Sequence, residues 1–225
     1  MRSPHAAALY AALGTVHVAA AATHTRWLDT ATKPLLIPVL ALYAVAAYRE
    51  RGARVSRRLL LSLALACAGG LALRVDGATG LVVGAAFFLA AYAIYTAEFI
   101  RSGAAGRLRS WPRRLIPIGY GAAVTATMAW LWQGLRERGV ALPMAGYATL
   151  MALMAATATT WGWRVGLGAG LLVASDALIG VGVTGVAEVP GQPALVMATY
   201  LLGVALVVSG WTARALHPGA GTPAT

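Results

Sequence analysis

Apolar residues run through this chain in long blocks, broken at intervals by short arginine-rich or Gly/Pro-rich segments. The blocks fall at about 5–24, 32–48, 59–73, 79–100, 115–133, 141–160, 166–184 and 193–211. Most of them reach the roughly 17–25 residues that an α-helix needs to cross a bilayer. The pattern therefore predicts an all-α, polytopic transmembrane bundle of eight helices. Seven is the alternative, because the third block, between Arg58 and Arg74, is short and the seventh is interrupted by glycine. A transmembrane barrel would alternate polar and apolar residues in segments of about ten, and the sequence has no such alternation.

Composition sharpens this picture. Of 225 residues, 59% are hydrophobic and 11% charged, against roughly 25% charged in a soluble domain. The first block has no strongly basic leader followed by an A-x-A-like cleavage site, so it is read as a retained span. The longest connections, 49–58 and 101–114, are too short to fold alone. Residues 1–211 are thus expected to form one transmembrane domain, and the Pro/Gly-rich end, 212–225 with His217, a disordered tail.

The net charge of +11 invites a nucleic-acid reading, which the positions of the charges exclude. With eight spans, 13 of the 18 basic residues fall on the side of both termini: Arg2, five in 49–58, five in 101–114, Arg164 and Arg214. That asymmetry predicts cytoplasmic termini for a multi-pass protein of the cell membrane, with basic loops drawn to anionic lipid headgroups. Trp27, Trp111, Trp130, Trp132, Trp161, Trp163 and Trp211 all fall at or near block ends, where amphipathic rings favour the interface.

Small residues suggest close helix packing: Gly80 and Gly84 make a GxxxG in the fourth block, and Gly166 and Gly170 another at the start of the seventh. Cys67 is the single cysteine, so no internal disulfide is possible, and it is read as a small packing residue. There is no internal repeat of 20–50 residues and no pair of broken helices of the kind transporters carry. Metal-ligand spacings, a GxSxG elbow, a Walker loop and a dinucleotide fingerprint are all lacking, so no metal or cofactor is expected. No oligomeric state is assigned.

Seven acidic residues occur. Glu50, Asp76, Glu137 and Glu188 fall in connections, where water accounts for them. Glu98 lies three residues before Arg101 and is expected to pair with it. Asp29, in the connection before the second helix, is a candidate cap for that helix or a headgroup contact. Asp176 stands apart, near the centre of GLLVASDALIGVGV (170–183). A carboxylate at a helix centre costs about 2.5–3.5 kcal/mol on insertion, and such residues face the bundle interior or a water-filled cavity. Apolar surroundings disfavour the ionised form, the circumstance in which a carboxyl group serves as a general acid near neutral pH. The plainer reading is a protonated acid tying two helices together.

Lys33 is the only lysine beside 17 arginines, and it starts the second block next to Pro34. Proline suits the first turn of a helix, where its missing N–H costs nothing. A lysine here either snorkels to the interface or binds an anionic headgroup. The expected topology puts Lys33 and Asp176 in the same, non-cytoplasmic half of the membrane, bordering one cavity. His17, midway along the first block, is read as an interhelical hydrogen-bonding residue, and His24 marks that block's outer end.

Four stretches, TKPLLIPVL (32–40), GAAFFLAAYAIY (84–95), SDALIGVG (175–182) and TYLLGVALVVSG (199–210), resemble in order and spacing the YhhN family of eight-helix membrane proteins, whose animal members are lysoplasmalogenases. The resemblance implies hydrolysis of the vinyl ether bond of a lysolipid to an aldehyde and a glycerophospho-headgroup, with a membrane lysophospholipid as partner. It carries Ser175-Asp176 over as the family's SD motif. Asp176 is then the catalytic acid/base; Lys33, Ser175, Tyr92, Tyr95 and Tyr200 are the candidate substrate-binding residues. The family pattern also has a GD in the third span, where this chain has Gly69-Gly70. It has a His where this chain has Tyr92, and a Gln after the TY motif where this chain has Val204. Asp76, six residues beyond Gly70, is the candidate replacement for the missing acid. Two alternatives stand beside the hydrolase: a lysolipid-binding protein without turnover, and, less favoured, a small transporter built around Asp176.

Overall fold

The computed structural model describes residues 1–110 and 113–216, and among them there is helix and turn but no strand. Nine α-helices follow one another: α1 Ser3–Ala22, α2 Arg26–Glu50, α3 Arg57–Ala72, α4 Gly77–Arg101, the short α5 Ala104–Leu108, α6 Leu115–Glu137, α7 Ala141–Ala158, α8 Trp163–Thr184 and α9 Gln192–Leu216. Seven of them are long and apolar enough to cross a membrane. The eighth long helix, α3, has 16 residues; at about 1.5 Å per residue it extends roughly 24 Å, slightly less than a hydrocarbon core of about 30 Å. The eight apolar blocks therefore correspond to the eight long helices.

Several boundaries differ from expectation. The second helix starts at Arg26 rather than 32, so Asp29 belongs to its first turn and Lys33 lies two turns in. Pro34 is interior, as is Pro38, and each leaves the carbonyl four residues before it without an intrahelical donor. The seventh apolar block, taken for an interrupted span, is the unbroken α8. The last helix continues to Leu216, so residues 212–216, assigned to the tail, are helical; His217 and the rest of the tail lie outside the described residues.

Neighbouring helices form a ring in the order α3, α4, α7, α8, α9, α1, α2 and back to α3, with α6 outside it against α7 and α8. Cross-helix side-chain pairs fix the antiparallel order: Ser3 of α1 with Glu50 of α2, Arg58 of α3 with Glu98 of α4, and Arg74 after α3 with Asp29 of α2. Glu98 thus pairs across helices with Arg58 rather than with Arg101. Helix α6 is the least buried long helix, with only Val124, Leu131 and Leu135 in the interior.

Two glycine contacts set the tightest crossings. On α3 and α4, a Cβ on Gly69 would lie 3.1 Å from the Gly84 carbonyl, and one on Gly84 would lie 3.2 Å from the Gly69 carbonyl. The GxxxG of α4 therefore packs. On α8 the close approach is made by Gly168, whose Cβ would meet the Gly203 carbonyl of α9 at 2.7 Å; Gly166 and Gly170 instead face Thr159 and Tyr120. Between α7 and α8, Gly162 has φ 112°, a conformation that a side chain would strain.

Of the tryptophans placed at block ends, Trp27, Trp130 and Trp163 are exposed, whereas Trp161 and Trp211 are buried. The buried pair packs with Phe99 and Tyr95 where the ends of α4, α7 and α9 meet. Trp111 lies outside the described residues.

Gly168→Leu is expected to force α8 and α9 apart and to cost at least the roughly 1–3 kcal/mol typical of overpacking. The same change at Gly146, where a Cβ meets nothing within 4 Å, is expected to be close to neutral; thermal unfolding of the detergent-purified variants checks the contrast.

Candidate functional site

Asp176 sits on α8 next to Ser175, and the two side chains diverge by about 100° around the helix. Ser175 Oγ donates to the Val196 carbonyl of α9 at 3.1 Å, which fixes the rotation of α8 against α9 and turns Asp176 toward α4 and α7. There Tyr92 of α4 donates to Asp176 Oδ2 at 2.9 Å, and Tyr147 of α7 donates to the same oxygen at 2.5 Å. The two phenol rings lie 5.9 Å apart. No described residue donates to Oδ1.

Two cavities meet at this carboxyl group. The larger, about 110 Å³, is walled by α4, α6, α7 and α8, including Leu81, Ala85, Met128, Leu131 and Met151. Asp176 and Tyr147 carry the only ionisable groups in its lining. The smaller, about 60 Å³, is walled by Lys33, Cys67, Gly70, Ser175, Asp176 and Tyr200 together with apolar side chains. Phe88, Leu73 and Ile179 border both. Lys33 and Asp176 therefore do share a cavity, and no carboxylate lies within 4.0 Å of Lys33 among the described residues. Tyr200 Oη is buried with no hydrogen-bond partner there, and its ring meets Phe88 edge-on at 5.9 Å.

Gly70 opens onto the small cavity, and a Cβ built on it meets nothing within 4 Å. The position where the resemblance implies an acid thus shares a cavity with Asp176 and Lys33, yet supplies neither carboxyl group nor bulk. Asp76 does not replace it. That residue is exposed at the N-terminal boundary of α4 and lines neither cavity. Tyr95 is also outside both: it stacks on Phe99 at 6.3 Å and meets Trp211 edge-on. Val204 is packed in the core.

Against this geometry stands one match to known proteins: the YhhN family, over residues 28–211. The chain belongs to the YhhN family. Neither a curated protein nor a solved structure matches it. In this YhhN protein the matched region takes in every side chain of both cavities.

Tyr147 was not among the residues singled out from sequence. Its segment, ALPMAGYATLMALMAATA on α7, has no charge and no strong periodicity, and tyrosines in apolar helices are ordinary. The available signal was weak: a carboxyl group buried in α8 needs donors, and a phenol at mid-depth on a neighbouring helix is one of few groups that supply them.

A second polar cluster ties α1 to α2 at the same end of the YhhN bundle as Lys33. His17 is fully buried, with Nδ1 2.7 Å from Thr32 Oγ1. Because Thr32 gives its own proton to the Leu28 carbonyl, it accepts from His17, which places the proton on Nδ1. Nε2 lies 3.6 Å from Asp29 Oδ1, and Asp29 in turn meets Arg74 at 3.3 Å. Asp29 thus braces helices instead of capping one.

Thr32→Val leaves a buried imidazole N–H without an acceptor and is expected to cost about 1–3 kcal/mol. Arg74→Ala breaks a pair whose side chains are both 32% exposed and is expected to cost less than about 1 kcal/mol. Thermal melts of the two variants should separate clearly, with Thr32→Val the lower.

Proposed function

We propose that this YhhN protein is a hydrolase of the vinyl ether bond of lysolipids in the cell membrane, with both termini cytoplasmic. The observation that carries the reading is the place of Asp176 as the shared wall of an apolar cavity and a lysine-bearing one. A lysoplasmalogen has the same division: an apolar chain, a vinyl ether, then a glycerophosphate. With the chain among Leu81, Met128 and Met151 and the phosphate toward Lys33, the bond to be broken falls beside Asp176.

The chemistry follows from one carboxyl group. Protonated Asp176 gives its proton to the vinyl carbon distal to the oxygen, leaving an oxocarbenium ion on the adjacent carbon. The Asp176 carboxylate then takes a proton from a water molecule as that water adds to the cation. The resulting hemiacetal collapses to a fatty aldehyde and a free glycerol hydroxyl, so one water is consumed and the acid is regenerated. Lys33 positions the phosphate. Tyr200, with its free phenol, and Ser175 border the headgroup side.

Gly70 supports a second reading, in which the same cavities bind a lysolipid without turning it over, because the second carboxyl group of the family pattern is missing.

Aldehyde release from a lysoplasmalogen by purified protein is expected to fall at least about 100-fold in Asp176→Asn, the scale of a lost acid/base group; equal release from both proteins would refute the hydrolase. Lys33→Ala is expected to weaken lysolipid binding about tenfold or more, the loss of a charge-assisted contact. Native mass spectrometry of lysolipid complexes reads that loss, and retained lysolipid with no aldehyde would favour the second reading.

A further inference from the structure

We infer that Tyr147 and Tyr92 form a two-phenol fork that holds Asp176 by Oδ2 alone, so that Oδ1 is the oxygen that exchanges its proton with the cavities, and that Tyr147 is a positioning residue. The inference concerns the carboxyl group on which the hydrolase reading rests, but it stands on hydrogen-bond geometry and its test uses no turnover.

Both phenols donate to one oxygen, at 2.5 and 2.9 Å. A phenol has a single proton to give, so neither has one left for Oδ1. A carboxylic acid protonated on Oδ1 still offers two lone pairs on Oδ2, and a carboxylate offers the same two. The fork therefore persists in both protonation states, and the carboxyl group keeps its orientation as the proton comes and goes. The donors reach Asp176 from α4 and α7, so they leave α8 free to present Oδ1 to the space between the cavities.

Tying three helices together would by itself account for such contacts, but a tie does not require both donors on the same atom. The fork also biases the charge state. Hydrogen bonds to an ionised acceptor are about twice as strong as those to a neutral one, so each phenol favours the carboxylate over the acid. The other groups facing Asp176 are Lys33 from α2, Cys67 from α3 and Tyr200 from α9, all across the small cavity; α6 contributes no titratable group to the wall.

Dicyclohexylcarbodiimide reads this directly. A protonated carboxyl group adds across the reagent: its proton moves to one nitrogen, its oxygen bonds the central carbon, and the acyl group then migrates to nitrogen with nothing leaving. The apolar reagent suits the larger cavity. In detergent-purified wild-type protein, mass spectrometry should find the adduct on Asp176 at low pH and lose it as pH rises. In Tyr147→Phe, and separately in Tyr92→Phe, the pH of half-labelling should move up by at least about one unit, a tenfold change in proton concentration, each variant being checked for a wild-type-like melt. If Tyr147→Phe does not fold, the shift in Tyr92→Phe carries the test. An unlabelled wild-type Asp176, or a midpoint unmoved by Tyr147→Phe in folded protein, overturns the inference; a shift confined to Tyr92→Phe while Tyr147→Phe folds overturns the role of Tyr147. Labelling with shifted midpoints but no aldehyde from a lysoplasmalogen would sustain the fork and sink the hydrolase.

Discussion

A carboxyl group in the middle of an apolar bundle is the constraint around which this structure is arranged. Left unpaired, Asp176 would cost several kcal/mol in a medium without water. Its partners must come from other helices, because the residues one turn away on α8 are Leu172, Val173, Ile179 and Gly180, and the hydroxyl of neighbouring Ser175 is given to α9. Tyr92 and Tyr147 meet that need, and meeting it requires α4 and α7 to stand at a set depth and rotation relative to α8. The aim of α8 has its own device about a quarter turn around the helix. Gly168 lets the α9 backbone come close, and Ser175 bonds that backbone one residue before Asp176. Close packing on that face thus fixes where the acid points on the adjoining one.

The cavities follow from the same arrangement. Two phenols and a carboxyl group projecting between helices hold α4 and α8 apart, and the space they bracket is divided by the groups that bracket it. One side is walled by α6, the helix outside the ring, and is almost wholly apolar. The other is walled by α2, α3 and α9 and holds the single lysine. An amphiphile has the same asymmetry, with a chain that gains roughly 25 cal/mol for each Å² of apolar surface buried and a headgroup whose charge must be met by another. Polar groups elsewhere in the membrane-spanning part brace helices instead: His17 bonds Thr32 between α1 and α2, Arg74 meets Asp29 of α2, and Arg58 with Glu98 closes α3 onto α4.

Much of this was legible in the sequence, for physical reasons that differ from residue to residue. Length and apolarity marked the eight long helices because a bilayer imposes both on any segment that crosses it. Asp176 stood out because a charge there is costly, and Lys33 because it is the only one of its kind. That the two border one cavity followed from topology. What sequence concealed is what depends on rotation about helix axes. Tyr92 and Tyr95 lie three residues apart on α4, yet one meets the carboxyl group and the other packs in the Trp161–Trp211 cluster. Pro34 resembles a first-turn proline and so points to a start of α2 six residues beyond the actual one, whereas neighbouring helices in a membrane bundle let an interior proline persist. The GxxxG spacing points to Gly166 and Gly170, whereas Gly168 makes the close approach, because spacing does not say which face meets a neighbour.

Gly70 changes the electrostatics of the site in two directions at once. An aspartate there would put two carboxyl groups in one small apolar cavity, where like charges oppose each other's ionisation and one is pushed toward the neutral acid. It would also leave Lys33 facing two potential carboxylates. With glycine, Asp176 has no carboxyl neighbour in the lining of either cavity to divide its proton with, and its hydrogen-bond partners are the phenols of Tyr92 and Tyr147. An incoming anion meets one lysine and at most one carboxylate, in space that a side chain at position 70 would have filled. On the proposed reading, the glycine that leaves out a second acid/base group also makes the small cavity more hospitable to a phosphate. In the proposed hydrolase, a one-carboxylate site of this kind must draw from Asp176 alone both the proton it gives and the proton it takes back, which is the circumstance in which an oxygen with no competing hydrogen bond is of most use.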